Sequence, residues 1–305
     1  MKPITRRELF GWTAGAIAAG SANLATPHLA KAIPPFARSR PSHMKLSLAA
    51  YSYRDYLTGK KSPKLDLFDF VNLAADLALD GVEPTSYYFP PDVTSDYLVR
   101  LKLHAFSLGL DISGTAVGNN FCLPPGPKRD EQITLVERWI DKAAELDAPV
   151  IRIFAGNVAR GSTEEQAVAW AIEGIKSVLP HAAKKGIVLA LENHGGITAT
   201  PEQLFKLVNA IDSPNFGVNL DTGNFRGSDP YAEIAQLAPY ALNVQVKTEI
   251  QRGNGHAKEE ADLARIVGIL RDAHYSGYIV LEYEAALDPL TAIPGHTKTL
   301  RKLIS

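Results

Sequence analysis

The chain has 305 residues, 46% of them hydrophobic and 21% charged, enough to bury a large core within one domain. Its formal net charge is −1 with no long run of Lys or Arg, so the electrostatic footprint of a nucleic-acid binder is missing and a small-molecule partner fits better. The single cysteine, Cys122, excludes an intrachain disulfide and reads as a buried small hydrophobe.

The chain begins with a basic stretch carrying Lys2, Arg6 and Arg7. A short Ala- and Gly-rich apolar run from Phe10 to Ala19 follows, and then Ala30-Lys31-Ala32. This is the layout of a secretory signal with a small-x-small cleavage site over residues 1–32, too short to span a bilayer as a helix. Thr5-Arg6-Arg7-Glu8-Leu9-Phe10 resembles a twin-arginine signal, which implies export of a folded chain to the periplasm. Residues 33–44, with Pro34, Pro35 and Pro41, read as a linker, and the folded domain is expected from Lys45 to Ser305 with no stable membrane span.

From Lys45 onward, β-rich runs alternate with amphipathic segments. The strand candidates are 46–52, 80–85, 110–117, 149–156, 186–194, 215–223, 241–249 and 277–284. Helical candidates between them include 66–79, 134–147, 164–186 and 258–275. Such alternation predicts an α/β fold with a parallel sheet, and eight units predict a single-domain (β/α)8 TIM barrel. The open doubly wound alternative usually binds at a Gly-rich first turn, and no GxGxxG follows the first strand.

Side chains alternate faces along a strand, and the last four strands use this consistently. Leu189 and Leu191 oppose Ala190, Glu192 and His194; Val218 and Leu220 oppose Asn219 and Asp221. Leu242, Val244 and Val246 oppose Asn243, Gln245 and Lys247; Ile279 and Leu281 oppose Val280, Glu282 and Glu284. One face suits a helix layer. The other becomes polar toward the C-terminal end of each strand, where barrel active sites form. Three carboxylates and an amide thus converge, and like charges held together need protons or a cation. A metal is one answer; salt bridges to Lys247 or Arg152 are the other.

Leu-Glu192-Asn-His, Leu-Asp221-Thr-Gly-Asn and Leu-Glu282-Tyr-Glu are similar to the fifth-, sixth- and eighth-strand motifs of the xylose isomerase-like barrels, the sugar phosphate isomerases and epimerases. The resemblance spans residues 45–304. It implies one divalent metal ion held by Glu192, Asp221, Gln245 and Glu282. Asn243-Val-Gln245-Val-Lys247 resembles the family's His-x-His-x-Lys, with amides at both histidine positions. An all-oxygen set favours Mn2+ or Mg2+ over Zn2+.

Glu192, Glu282, Lys247 and His194 are the acid–base candidates, for proton abstraction next to a carbonyl. Glu83, Tyr53, Asn120, Arg152, Asn224 and His256 are the candidates for substrate contact, with Tyr51, Tyr87 and Tyr88 as aromatic walls. Export argues against a phosphorylated sugar, so the expected substrate is a non-phosphorylated sugar or ketosugar, isomerised or epimerised. Elimination on a 3-keto-glycoside is the alternative outcome, and a non-catalytic sugar-binding barrel the alternative of another class. An endonuclease IV-like repair enzyme would need more histidines and a basic rim. The sequence leaves the oligomeric state open.

Overall fold

A computed structural model describes residues 35–305. The leader expected at residues 1–32 lies outside the described residues. The chain folds as a (β/α)8 barrel. Its parallel strands are β1 (Met44–Ala49), β2 (Gly81–Glu83), β3 (Asp111–Ile112), β4 (Thr115–Ala116), β5 (Val150–Ile153), β6 (Val188–Glu192) and β7 (Phe216–Asp221). Then come β8 (Ala241–Val246), an antiparallel hairpin of β9 (Glu249–Ile250) and β10 (Glu259–Glu260), and β11 (Gly277–Leu281). The sheet order is β3-β2-β1-β11-β8-β7-β6-β5-β4. β3 and β4 are two halves of the third barrel strand, broken at Ser113-Gly114. β3 pairs with β2 and β4 with β5, and a bridge from Thr85 to Ala116 closes the gap.

The helices are α1 (Arg54–Leu57), α2 (Leu67–Asp76), α3 (Ser95–Ser107), α4 (Pro127–Glu145), α5 (Glu164–Lys185), α6 (Pro201–Asn209), α7 (Pro230–Leu237), α8 (Leu263–Asp272) and α9 (Pro289–Ile304). Their boundaries follow local chemistry. Asp66 and Asp69 form a capping box on α2, and Thr163 and Gln166 one on α5. Pro opens α4, α6, α7 and α9, where its missing N–H costs nothing. The last amphipathic segment, expected from residue 258, becomes a helix only at Leu263. Glu259 and Glu260 are drawn into the hairpin, and the Asp262 side chain caps the first turn.

The outward faces of the strands carry the core. Leu46, Leu48, Ile151, Ile153, Leu189, Leu191, Val218, Leu220, Val244, Val246, Ile279 and Leu281 are all fully buried against the helix layer. Parity fails once. The β7–β8 register shifts between Val218 and Asn219, so one extra residue sits on β8. Leu242, expected on the outward face, instead packs over Gly217, where a Cβ would collide with its side chain. Above this bulge the expected phase returns, with Asn219 opposite Asn243 and Asp221 opposite Gln245.

Residues 35–43 run beneath the barrel. Arg38 donates to the carbonyls of Pro239 (3.3 Å) and Ala241 (2.6 Å), and its guanidinium lies over the rings of Phe36 and Tyr275. The Gly277 amide donates to the His43 carbonyl at 3.0 Å, leading into β1. The opposite, C-terminal end is left to the functional groups. Among the described residues no helix is long and apolar enough to cross a membrane.

Candidate active site

Two polar layers fill the inner face. The lower one is a closed amide–carboxylate network. Asn243 Nδ2 donates to Glu83 Oε2 (3.0 Å) and Asn219 Oδ1 (2.9 Å). Asn219 Nδ2 donates to Gln245 Oε1 (2.7 Å), and Gln245 Nε2 donates to Glu83 Oε1 (2.7 Å). Each of these side chains is buried. Burial pushes the Glu83 carboxyl above its ordinary value, against the pull of Arg152 and the two amide donors.

The upper layer is charged. Lys247, the first residue past β8, places its Nζ 3.0 Å from Glu284 Oε1, 3.1 Å from Asp221 Oδ2 and 3.4 Å from Glu282 Oε1. It also donates to Asn224 Oδ1 at 3.4 Å. Asn224 reaches the other way, donating Nδ2 to Glu192 Oε1 at 2.9 Å. Glu192 Oε2 lies 2.9 Å from Arg152 Nε, an ionic contact off the N–H direction; the hydrogen bond of Arg152 goes from its Nη1 to the Val117 carbonyl at 2.9 Å. The Arg152 guanidinium is stacked on Phe154, 3.9 Å from the ring centroid. Asp221 is pinned from behind by Asn193, which accepts from the Asp221 amide (2.8 Å) and donates to its carbonyl (2.9 Å).

The electrostatics follow from burial. Glu83, Glu192, Asp221, Glu282 and Glu284 outnumber Lys247 and Arg152. Desolvation raises the Glu282 carboxyl well above its ordinary value, with Lys247 opposing and Asp221 and Glu192 adding to the rise. Glu192 and Asp221 are raised for the same first reason. Glu284 goes the other way: partial burial raises it, but the Lys247 charge and hydrogen bond, with a hydrogen bond from Glu282 and the Arg54 charge, together hold it low. Lys247 stays an ammonium, because Asp221, Glu282 and Glu284 outweigh the desolvation that would strip its proton. Glu282 and Glu284, two residues apart on one face, are therefore pushed in opposite directions, the arrangement that separates acid from base.

Most expected residues meet here. Glu192, Asp221, Glu282, Lys247, Arg152 and Asn224 form the upper layer, with Glu83 directly connected below. Gln245 does not join the carboxylates: its amide is committed at both ends to Asn219 and Glu83. His194 lies at the rim with its ring tilted against Phe154, centroids 4.2 Å apart. Desolvation against its neighbours, with the charges of Arg152 and Lys247, holds its imidazole low and neutral. Tyr53 is core rather than wall. The chain leaves β1 through a short 3-10 turn (Ala50–Tyr53) that swings this ring edge-on against Phe70 of α2, 6.3 Å between centroids. Asn120 serves its own loop, its Oδ1 accepting from the Cys122 amide at 2.9 Å. His256 is exposed on the β9–β10 connection, offering its carbonyl to Gln251. Tyr51 and Tyr88 are near enough to Glu282 to feel its charge, and the half-exposed Tyr87 contacts Arg152.

Sequence reasoning passed over Glu284 and Asn193. Strand parity already put Glu284 on the inner face with Glu282. Nothing local marks Asn193, whose outward-directed position becomes useful only because β7 lies beside it.

A divalent ion does not fit these side chains as they stand. Lys247 Nζ takes the position among Asp221, Glu282 and Glu284, although Asp221 Oδ2 has no hydrogen-bond partner; Gln245 Oε1 already accepts from Asn219, and Glu192 has Asn224 donating to Oε1 and the Arg152 charge beside Oε2. Among the described residues no three His, Cys, Asp or Glu side chains are arranged to hold a metal. A cavity of 20 Å³, lined by Gly223, Asn224, Arg226, Lys247, Thr248 and Glu284 among others, opens over the ammonium. That is room for a water of ~10–15 Å³ by the same measure.

The family model for the xylose isomerase-like TIM barrel matches residues 71–303. The chain belongs to that family. It is similar to a xylose isomerase domain protein from Planctomyces limnophilus, with 16% identity over 87% of this chain and 99% of that one and a TM-score of 0.67. It is similar in fold to D-psicose 3-epimerase from Clostridium cellulolyticum (18% identity, 86% and 94% covered, TM-score 0.64). The probable 3-DHS dehydratase of Bacillus anthracis shares the barrel too (17% identity, 86% and 98% covered, TM-score 0.61). One curated relative, 3-oxo-isoapionate decarboxylase from Pectobacterium atrosepticum, is 30% identical over 112 residues. That match covers 36% of this chain and spans only 38% of the relative's length.

Proposed function

We propose that this protein is a sugar isomerase or epimerase that removes a proton next to a carbonyl of a non-phosphorylated ketosugar. The observation that carries the reading is the buried Lys247 ammonium with carboxylates on either side of it, at the C-terminal mouth of a barrel. An ammonium there meets the negative charge that grows on a carbonyl oxygen as the adjacent C–H is broken. Glu282 follows directly on β11, which lies beside β8, and Glu192 ends β6, across β7. Proton removal by one and return by the other, from opposite sides, inverts a centre; return to the neighbouring carbon isomerises. A raised carboxyl pKa suits this work, since a base near the working pH abstracts a carbon-bound proton better than an ordinary carboxylate. Asn224 links the two sides, and Tyr51, Tyr87 and Tyr88 offer faces to a sugar ring.

A second reading shares the first step. The curated relative's name contains a 3-oxo substrate that loses a carboxyl group. An enediolate formed beside a 3-ketone can likewise expel a β-oxygen substituent, which makes the protein a 3-keto-glycoside lyase. Both readings are tested by incubating the protein in D2O with a panel of ketoses and 3-keto-glycosides and following C–H exchange, new sugars and released aglycone by NMR. Exchange that disappears in Glu282→Gln and Glu192→Gln supports the acid–base pair. A protein that binds ketosugars but shows no exchange, isomerisation or elimination across the panel is a binding barrel, and the enzyme reading fails. We further propose export to the periplasm through residues 1–32; replacing Arg6 and Arg7 by Lys should retain the protein in the cytoplasm, and unchanged export would remove the twin-arginine assignment.

A further inference from the structure

We propose that Lys247 is the resident cation of this site, a covalently attached replacement for the divalent ion that the family resemblance implies. Its Nζ has four oxygen neighbours at 3.0–3.4 Å, from Glu284, Asp221, Glu282 and Asn224. Asn224 Oδ1 accepts a hydrogen bond from the ammonium, and the three carboxylates are its charge partners on several sides, with Asp221 Oδ2 held by charge alone. The inference concerns the same site but does not rest on the reaction proposed for it.

Three features hold this lysine where it is and keep the neutral donor away from the carboxylates. The first is the slot for its stem. A Cβ at Gly223 would lie 2.6 Å from Lys247 Cβ and 2.8 Å from its Cδ, so the side chain runs through space that only a glycine leaves. The second is its anchoring: the Lys247 amide donates to Thr222 Oγ1 at 3.0 Å, and the Thr222 amide donates to the Gln245 carbonyl at 3.0 Å. These bonds fix the direction in which the stem leaves β8. The third is the fate of the neutral donor. Gln245 is held below the carboxylates by Asn219 and Glu83, and the Glu83 contact in turn depends on Asn243. Rotating Gln245 up to a metal would break two buried hydrogen bonds and strip donors from a buried carboxylate, which the lower layer opposes.

The test reads metal directly and needs no substrate. The full chain, purified without chelators, is assayed for bound metals by elemental analysis, and its melting temperature is followed with Mn2+, Mg2+ and EDTA. Lys247 as resident cation gives far less than one ion per chain and a melting temperature indifferent to all three additions. About one ion per chain, with melting lowered by EDTA and restored by Mn2+, overturns the proposal. Lys247→Met keeps the stem and removes the charge. It should acquire Mn2+ binding, seen as loss of the free Mn2+ electron paramagnetic resonance signal. At a Mn2+ concentration ~100-fold above its Kd the variant should melt roughly 5–10 °C higher. A folded Lys247→Met that ignores Mn2+ also counts against the proposal. Lys247→Arg, which keeps the charge, should remain indifferent to Mn2+; Mn2+ binding by the arginine variant would overturn it. If the methionine variant does not fold, the wild-type stoichiometry and the arginine variant still decide.

Discussion

Replacing Arg152 with Met removes one charge from a buried pair while keeping most of the stem on Phe154. In the wild type, Arg152 and Glu192 are only 7% and 3% exposed at their side chains, with 2.9 Å between Nε and Oε2, so solvent screens the contact little. Losing one partner of such a pair costs about 3–5 kcal/mol when the other remains charged. Glu192 has an escape, which is to take a proton. Its folded pKa is already raised above the ordinary 4.5 by burial, despite the opposing pull of Arg152. Without Arg152 it rises further. A carboxyl raised on folding binds more protons folded than unfolded between its two pKa values, so stability falls as pH rises through that window, by at most about 1.4 kcal/mol per pH unit for one proton. Burial holds Glu192 at about 8 even with Arg152 beside it, so the Arg152→Met penalty should be smallest near about pH 6, where Glu192 is protonated in both proteins, and should grow above about pH 8, toward about pH 9, where only the wild type ionises it. The pH-independent remainder comes from the Val117 carbonyl, which loses its donor at about 1 kcal/mol. Urea unfolding followed by circular dichroism at the two pH values measures the penalty, and Glu192→Gln in the same background should flatten its pH dependence. Equal penalties at both pH values, or a slope that persists in the double variant, would refute the view that Arg152 chiefly holds the Glu192 charge.

Gly223→Ala should push the Lys247 stem aside, because the new Cβ falls 2.6 Å from Lys247 Cβ and 2.9 Å from the Glu249 carbonyl oxygen. We expect about 1–3 kcal/mol of overpacking in urea unfolding, together with a ~100-fold loss of C–H exchange from misplacing the ammonium by about 1 Å. Exchange at the wild-type rate would show that Lys247 does not act on the substrate. Glu83→Gln keeps the shape of the lower layer but offers one acceptor oxygen to two amide donors, so it should destabilise by about 1–3 kcal/mol in the same assay; an unchanged midpoint would mean that the network is not held through Glu83. Cys122 is fully buried, and burial pushes its thiol up to about 12. Its labelling by a disulfide reagent should follow global unfolding in urea, and rapid labelling of the native protein would contradict the packing.

The barrel and the convergence were legible because both rest on period-two alternation. Once Glu192, Asp221 and Glu282 fall on the face opposite Leu191, Leu220 and Leu281, closure of the sheet has to bring them together. Other features depend on events that break the period. The turn after β1 sends Tyr53 into the helix layer, and the extra residue on β8 turns Leu242 inward over Gly217. Asn120 and His256 sit on loops, where the direction of a side chain is set by partners such as the Cys122 amide rather than by spacing.

The largest difference lies at Gln245 and Lys247, and it has one physical origin. Parity places both inward, one residue-pair apart along the strand, so pattern alone gives either of them to the carboxylates. Reach decides between them. The short Gln245 side chain starts one level lower, where Asn219 offers it a donor and Glu83 an acceptor at 2.7 Å each. The long Lys247 side chain starts at the strand end and brings a permanent charge to Asp221, Glu282 and Glu284. Buried carboxylates gain far more from that charge than from a neutral amide oxygen, and an amide gains more from a closed network than from one charged neighbour. The two residues therefore sort by length and charge into separate layers. The amide layer fixes the floor of the site, and the charged layer above it supplies both the cation and the displaced carboxyl pKa values on which the proposed proton transfers depend.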